Sequence, residues 1–251
     1  MSMQARLHFA VYAPALVDDD GRTPAVVHGL ERALPGLRLE WEVGKGGRPV
    51  ELPQRDAWLA EAATRGKFPL LCNGDERSPV TISGLRTPPS QAPGGQAMLD
   101  IHAKLPLDAT VTAAAANVLE GIAEGARAFW GHASQEGYGS EVAQQLRSSA
   151  HGSERSPRGL PMLELPARIR SPEIPHWLGW LNFWSAAAAH AIGFPDPARD
   201  ADLLVRARRT ASGGWVVQLT DAPLDYDNPA HLDTLNQTYE RFPEIGGRAA
   251  P

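Results

Sequence analysis

The chain has 251 residues, 43% of them apolar, which is enough for a sizeable core and fits one large domain or two small ones. Its net charge of −5 argues against non-specific nucleic-acid binding, and a lone cysteine, Cys72, excludes an internal disulfide and fits a reducing compartment. Arg6, His8 and Pro14 interrupt the N-terminal stretch, so neither a signal peptide nor a membrane span is expected, and the cytoplasm is the expected location.

Leu7 to Ala13 alternates apolar and polar positions and predicts a first strand. Val17-Asp18-Asp19-Asp20-Gly21 reads as a turn; its aspartates lack the spaced ligands and closing Glu of a calcium loop. Thr23 and Pro24 open a helix as N-cap and first helical residue, with Val26, Val27, Leu30 and Leu34 inward, and Pro35-Gly36 ends it. Leu37 to Val43 alternates as a half-buried strand. Lys45-Gly46-Gly47-Arg48 is a turn without phosphate-loop spacing. Arg55 to Arg65 predicts a short helix, Phe68 to Cys72 and Val80 to Leu85 short strands, and Arg86 to Gln96 a Pro/Gly loop. Cys72 reads as a small buried residue.

Ala97 to Leu105 alternates again, and Asp108 caps a long Ala-rich helix from Ala109 to Trp130. The stretch 134–161, rich in Gly and Ser, reads as a mobile loop with a short helix from Ser140 to Leu146. Trp177, Trp180, Leu181 and Trp184 then fall at i, i+3, i+4 and i+7. Pro175 precedes them and Gly193 follows, which predicts one Trp-rich helix over 175–192 facing the core. Leu203 to Arg209 and Gly214 to Thr220 form a hairpin. Asn228 and Pro229 open a last helix, and 243–251 is expected to be an exposed tail. Strand and helix alternate at first and a hairpin plus helix close the chain. The expected fold is a single α+β domain over 1–251, with a mixed or antiparallel sheet packed against helices.

No catalytic set stands out. The sequence contains neither a Gly-x-Ser-x-Gly elbow nor a His-Glu-x-x-His zinc helix, and its histidines are scattered singly, His102 on a strand and His176 beside the tryptophans. No catalytic residue, metal site or cofactor is expected. Asp225 and Asp227 flank Tyr226 just before a helix N-terminus, where the helix dipole stabilises carboxylates; the same pair is a candidate general acid and base. Acidic residues crowd the last quarter of the chain, a surface suited to a basic partner.

Gly213-Gly214-Trp215-Val216-Val217-Gln218-Leu219-Thr220, followed by Leu224-Asp225-Tyr226-Asp227-Asn228-Pro229-Ala230-His231-Leu232, resembles the end of a bacterial immunity-protein family. That family is number fifty-two in the polymorphic-toxin immunity series and occurs beside toxins with a restriction-endonuclease-like nuclease domain. Gly179-Trp180-Leu181 is similar to a segment that precedes this end in the family. Tyr12-Ala13-Pro14-Ala15-Leu16 and Glu240-Arg241-Phe242-Pro243-Glu244-Ile245-Gly246-Gly247-Arg248 resemble an uncharacterised myxobacterial family of the same layout. The stretch from Ala109 to Pro161 departs from the pattern. The resemblance implies a non-catalytic cytosolic immunity protein that binds and neutralises a cognate nuclease-type toxin, engaging neither nucleic acid nor membrane. Its partner-binding candidates are Asp225, Tyr226, Asp227 and Glu240. The alternative is a small hydrolase or transferase whose pocket joins His102 or His176 to carboxylates of perturbed pKa.

Overall fold

Leu7, Phe9, Val11 and Ala13 are buried along strand β1 (Arg6–Pro14), while His8 and Tyr12, on the opposite face, are half-buried. This two-sided strand lies inside a sheet of ten strands in the computed structural model, which describes residues 5–18, 21–44, 46–149 and 155–249. The remaining strands are β2 (Trp41–Val43), β3 (Pro49–Glu51), β4 (Leu71–Cys72), β5 (Thr81–Thr87), β6 (Met98–Pro106), β7 (Trp130–Gln135), β8 (Leu181–Trp184), β9 (Ala207–Arg209) and β10 (Trp215–Gln218). Their order is β3-β2-β4-β5-β6-β1-β7-β8-β10-β9, antiparallel throughout. With the helices described next, this is the expected α+β fold with an antiparallel sheet.

The apolar face of β1 is covered by α1 (Arg22–Ala33) and α3 (Ala109–Ala126). Val26, Val27 and Leu30 of α1, with Val118, Leu119 and Ile122 of α3, are buried in one core with Phe9, Val11 and Ile101. Asp108 caps α3 as expected, accepting from the Val111 N–H at 2.8 Å. The two helices approach each other at glycines. A Cβ added at Gly121 would lie 2.5 Å from the Gly29 carbonyl oxygen, and one at Gly29 only 2.1 Å from that of Gly121. Shorter helices complete the fold: α2 (Arg55–Thr64), α4 (Tyr138–Ser149), α5 (Ala186–Ala191), α6 (Ala201–Leu204) and α7 (Pro229–Arg241).

Several expectations are corrected. The Trp-rich stretch over 175–192 is not one helix. Leu181 to Trp184 is strand β8, buried at every position, between β7 and β10. A strand covered on both faces carries no alternation, so its apolar run imitates a helical stripe. Only Ala186–Ala191 is helical, capped by Ser185, whose Oγ accepts from the Ala188 N–H at 3.1 Å. The tryptophans do belong to the interior: Trp180 and Trp184 are buried, and Trp177 is half-buried.

The long helix stops at Ala126 rather than Trp130. Arg127 takes a left-handed conformation there (φ 51°), and β7 follows. Within 134–161 the described residues are structured: α4 fills the first half, and Arg155 to Pro161 close a turn with Leu160 buried, while 150–154 lie outside the described residues. The first helix starts at Arg22 with Gly21 as N-cap, in place of Thr23. Only Trp41–Val43 of the strand expected over 37–43 is strand. The expected tail is packed through Arg248: Ile245 is fully buried, and Glu164 N–H donates to the Gly246 carbonyl at 2.9 Å. The Asp19-Asp20 and Lys45 parts of the expected turns lie outside the described residues.

The glycine contact makes a test of the helix layer. Gly121→Ala would gain about 1 kcal/mol of helix propensity, but it drives a Cβ into the Gly29 backbone. The expected net result is a loss of about 1–3 kcal/mol in urea unfolding; unchanged or raised stability would show that the helices part there without cost.

Candidate functional site

Register places a band of polar and aromatic side chains on the second face of the sheet. Ala10 of β1 lies between His102 of β6 and His132 of β7, and His132 lies opposite Asn182 of β8. One pleat along, Tyr12 lies between Asp100 and Trp130; one pleat back, His8 lies between Lys104 and Ser134. Residues that face each other across neighbouring strands share one face, so these side chains form a single surface.

Hydrogen bonds fix the protonation of this surface. Trp177 Nε1 is only a donor, and it meets His132 Nε2 at 2.6 Å. His132 is therefore neutral, with its proton on Nδ1, 3.3 Å from Ser134 Oγ. Burial, together with the charges of His8 and His102, holds its pKa well below the usual value. His8 Nε2 and His102 Nδ1 are 3.1 Å apart, which requires one donor and one acceptor. Burial, then the charges of His102 and Lys104, lower His8 to about 4 against a smaller pull from Glu136. Burial and Lys104 lower His102.

Beside this network lies a cavity of about 240 Å³. Tyr12, Asp100, Thr87, Trp130, His176 and Trp177 line its walls, and the Pro-rich turns at 89–95 and 166–168 form its rim. The Gly94 N–H donates to the Ile169 carbonyl at 2.8 Å and ties the two turns together. Tyr12 stacks on Trp130 with ring centroids 4.1 Å apart, and Trp177 stands nearly perpendicular to both. Thr87 Oγ1 donates to Asp100 Oδ2 at 2.6 Å. Burial still raises the Asp100 pKa from its ordinary value. His176 shares the cavity, its Nε2 bonded to the Glu164 carbonyl at 2.8 Å; burial lowers its pKa to about 4. His102 pairs with His8 instead of a carboxylate. A larger groove of about 660 Å³ lies across the end of α2, where Glu42, Arg65, Lys67 and Arg86 mix both signs of charge. Among the described residues, no three His, Cys, Asp or Glu side chains are placed to hold a metal ion.

The residues expected to bind a partner lie on a different surface, around the start and outer side of α7. Asp225 is exposed, its carboxylate accepting from the Asp227 N–H at 2.9 Å. Asp227 is exposed and bonded to Arg158 at 2.8 Å, and Arg158 also reaches Glu141 on α4 at 3.2 Å. Glu240 is exposed and lies 3.7 Å from Arg155. Tyr226 turns inward instead: it is half-buried and stacks on Tyr138 at 5.3 Å, and burial raises its phenol pKa. Asn228 caps α7 as expected, accepting from the Ala230 N–H at 3.0 Å. The sequence reading missed Tyr12, Thr87, Asp100 and Trp130. A signal was present in the alternation of Asp100, His102 and Lys104 with buried apolar residues.

The neutral histidines make stability depend on pH. Their native pKa values lie below the unfolded value near 6.5, so unfolding takes up protons. Their contribution is complete above about pH 6.5 and is lost as pH falls towards 4. Stability should decline by about 1.4 kcal/mol per pH unit for each imidazole protonated on unfolding. Denaturation curves between pH 7 and 5 measure this, and His102→Gln should flatten the slope; a flat wild-type profile would contradict the neutral network.

The fold is similar to that of the Pseudomonas aeruginosa T6SS protein PA0821, with a TM-score of 0.51 and 17% identity over 95% of this chain and 73% of that one. No curated protein matches the sequence. Residues 18–250 match the family described as "Domain of unknown function (DUF5953)", and the chain belongs to that family.

Proposed function

We propose that this protein is a non-catalytic immunity protein that acts in the cytoplasm, where it binds and blocks a nuclease-type toxin through the acidic surface around α7. The observation that carries this reading is the grouping of exposed acids on one element: Asp225 and Asp227 before the helix, Asp233 and Glu240 along it. A nuclease must present a basic groove to its substrate, and an acidic surface both accelerates encounter with such a groove and covers it. The likeness in fold to a T6SS protein supports a role connected with a secretion system. The resemblance of Leu224 to Leu232 to the end of an immunity family supports the finer reading.

The test is affinity capture of the tagged full chain from its native cells, with mass spectrometry of what remains bound. A stoichiometric partner with a nuclease domain is expected. Asp225→Lys and Asp233→Lys should each slow association several-fold at low salt, and the difference should shrink at high salt. Recovery of no such partner, or charge reversals that leave the association rate unchanged, would overturn the reading.

A further inference from the structure

Three carboxylates that lie largely out of water in this protein have a cation beside them. Glu31 is buried and paired with Arg55, and Asp200 is fully buried with Arg199 Nε at 2.8 Å. Glu141, nearly covered, has Arg158 at 3.2 Å. Each has a guanidinium to offset the cost of removing its charge from water. Asp100 has none: among the described residues its side chain is bonded to Thr87 alone, and no Lys or Arg lies within ion-pair distance. It lies instead on the wall of the 240 Å³ cavity, among aromatic rings.

Three of those rings, Tyr12, Trp130 and Trp177, contact one another around the cavity. Tyr12 lies between Trp130 and Asp100 in the sheet register and stacks on Trp130. Its other face is therefore turned to the Asp100 side. Trp177, held by its bond to His132, stands across the same space at nearly a right angle. Aromatic faces attract cations through their quadrupole, most strongly when the site excludes water. A carboxylate and two or three rings around a small cavity form a site for an organic ammonium, and the volume suits a head group rather than a drug-sized ligand.

We propose that the cavity lined by Tyr12, Asp100, Trp130 and Trp177 binds an alkylammonium group, supplied either by a free quaternary or primary amine or by a lysine side chain of a protein. The ammonium lies against the Tyr12 and Trp177 rings and supplies the counter-charge that Asp100 lacks. Its lining residues are separate from the acids around α7, so the proposal does not rest on the toxin-binding reading.

Calorimetric titration of the full chain tests this with three probes. Choline stands for a free ammonium, Nα-acetyl-lysine methylamide for a peptide-borne one, and 3,3-dimethylbutan-1-ol is the neutral shape match of choline. At least one cationic probe should bind about tenfold more tightly than the alcohol, and the tighter of the two identifies the source. Asp100→Asn keeps an acceptor for Thr87 and should weaken the cation by about tenfold or more with the alcohol unaffected. Because Asp100 is close to the central strand, circular dichroism of the variant confirms its fold. Thr87→Val, which leaves the carboxylate in place, should still prefer cation to alcohol. Failure of both cations to bind the wild type, equal affinity for cation and alcohol, or an Asp100→Asn protein that binds as tightly as wild type would each overturn the proposal.

Discussion

The strand β1 has neighbours on both edges and layers on both faces, and this double enclosure is the constraint that shapes the molecule. Its odd-numbered positions, Leu7, Phe9, Val11 and Ala13, need only apolar cover, which α1 and α3 supply. Its even-numbered positions carry His8 and Tyr12, which cannot be buried without partners. Those partners must come from the same or the next row of the adjoining strands, because side chains on one face of a sheet meet their direct and diagonal cross-strand neighbours and whatever packs above them. Hence His102 beside His8, Asp100 and Trp130 beside Tyr12, and Trp177 above His132.

The cover over this second face is built from hydrogen bonds as much as from apolar contact. Leu178 N–H donates to Tyr239 Oη at 3.1 Å, and Tyr138 Oη donates to the Leu178 carbonyl. Gly246 N–H donates to the Pro175 carbonyl at 2.9 Å. The segment before β8 is thus clamped between α4, α7 and the C-terminal turn. Trp184 beneath it meets Phe194 and Phe242 edge-on at 5.0 and 5.6 Å. Loss of the Trp177–His132 bond on protonation would free one end of this clamp, because a protonated His132 has no lone pair to accept from the indole.

What was legible in the sequence follows from how local each signal is. The helix caps at Asp108 and Asn228, the alternation of β1 and β6, and the turn between β9 and β10 depend on a few neighbouring residues, and all were readable. Strands β7 and β8 were not. Trp130-Gly131-His132-Ala133-Ser134 and Leu181-Asn182-Phe183-Trp184 are covered on both faces, so polar and apolar residues lose their period. The candidate cavity was hidden for the same reason. Its walls come from β1, β5, β6, β7 and the segment before β8, brought together only by sheet order. The acids near α7 were visible as composition, whereas their internal cations, Arg155 and Arg158, lie in a stretch whose composition resembles a loop.

The surface charges have two tasks that compete. Arg158 joins α4 to the start of α7 by holding Glu141 and Asp227 together, and Arg241 joins α7 to α6 through Asp202 at 2.7 Å. Each pair is exposed on at least one side, so solvent screens most of its attraction. They fix where α7 lies more than they stabilise it. An acid with a cation beside it projects little field into solvent, because the two charges cancel within a Debye length. Asp227 therefore contributes to position, and Glu240 is partly offset by Arg155. Asp225 accepts one backbone N–H, and neither it nor Asp233 has an ion-pair partner among the described residues. Long-range attraction for a basic partner consequently originates at Asp225 and Asp233. At contact, a partner's arginine can also displace Arg155 or Arg158 from Glu240 or Asp227. Encounter and final affinity would then depend on different members of the same acidic group.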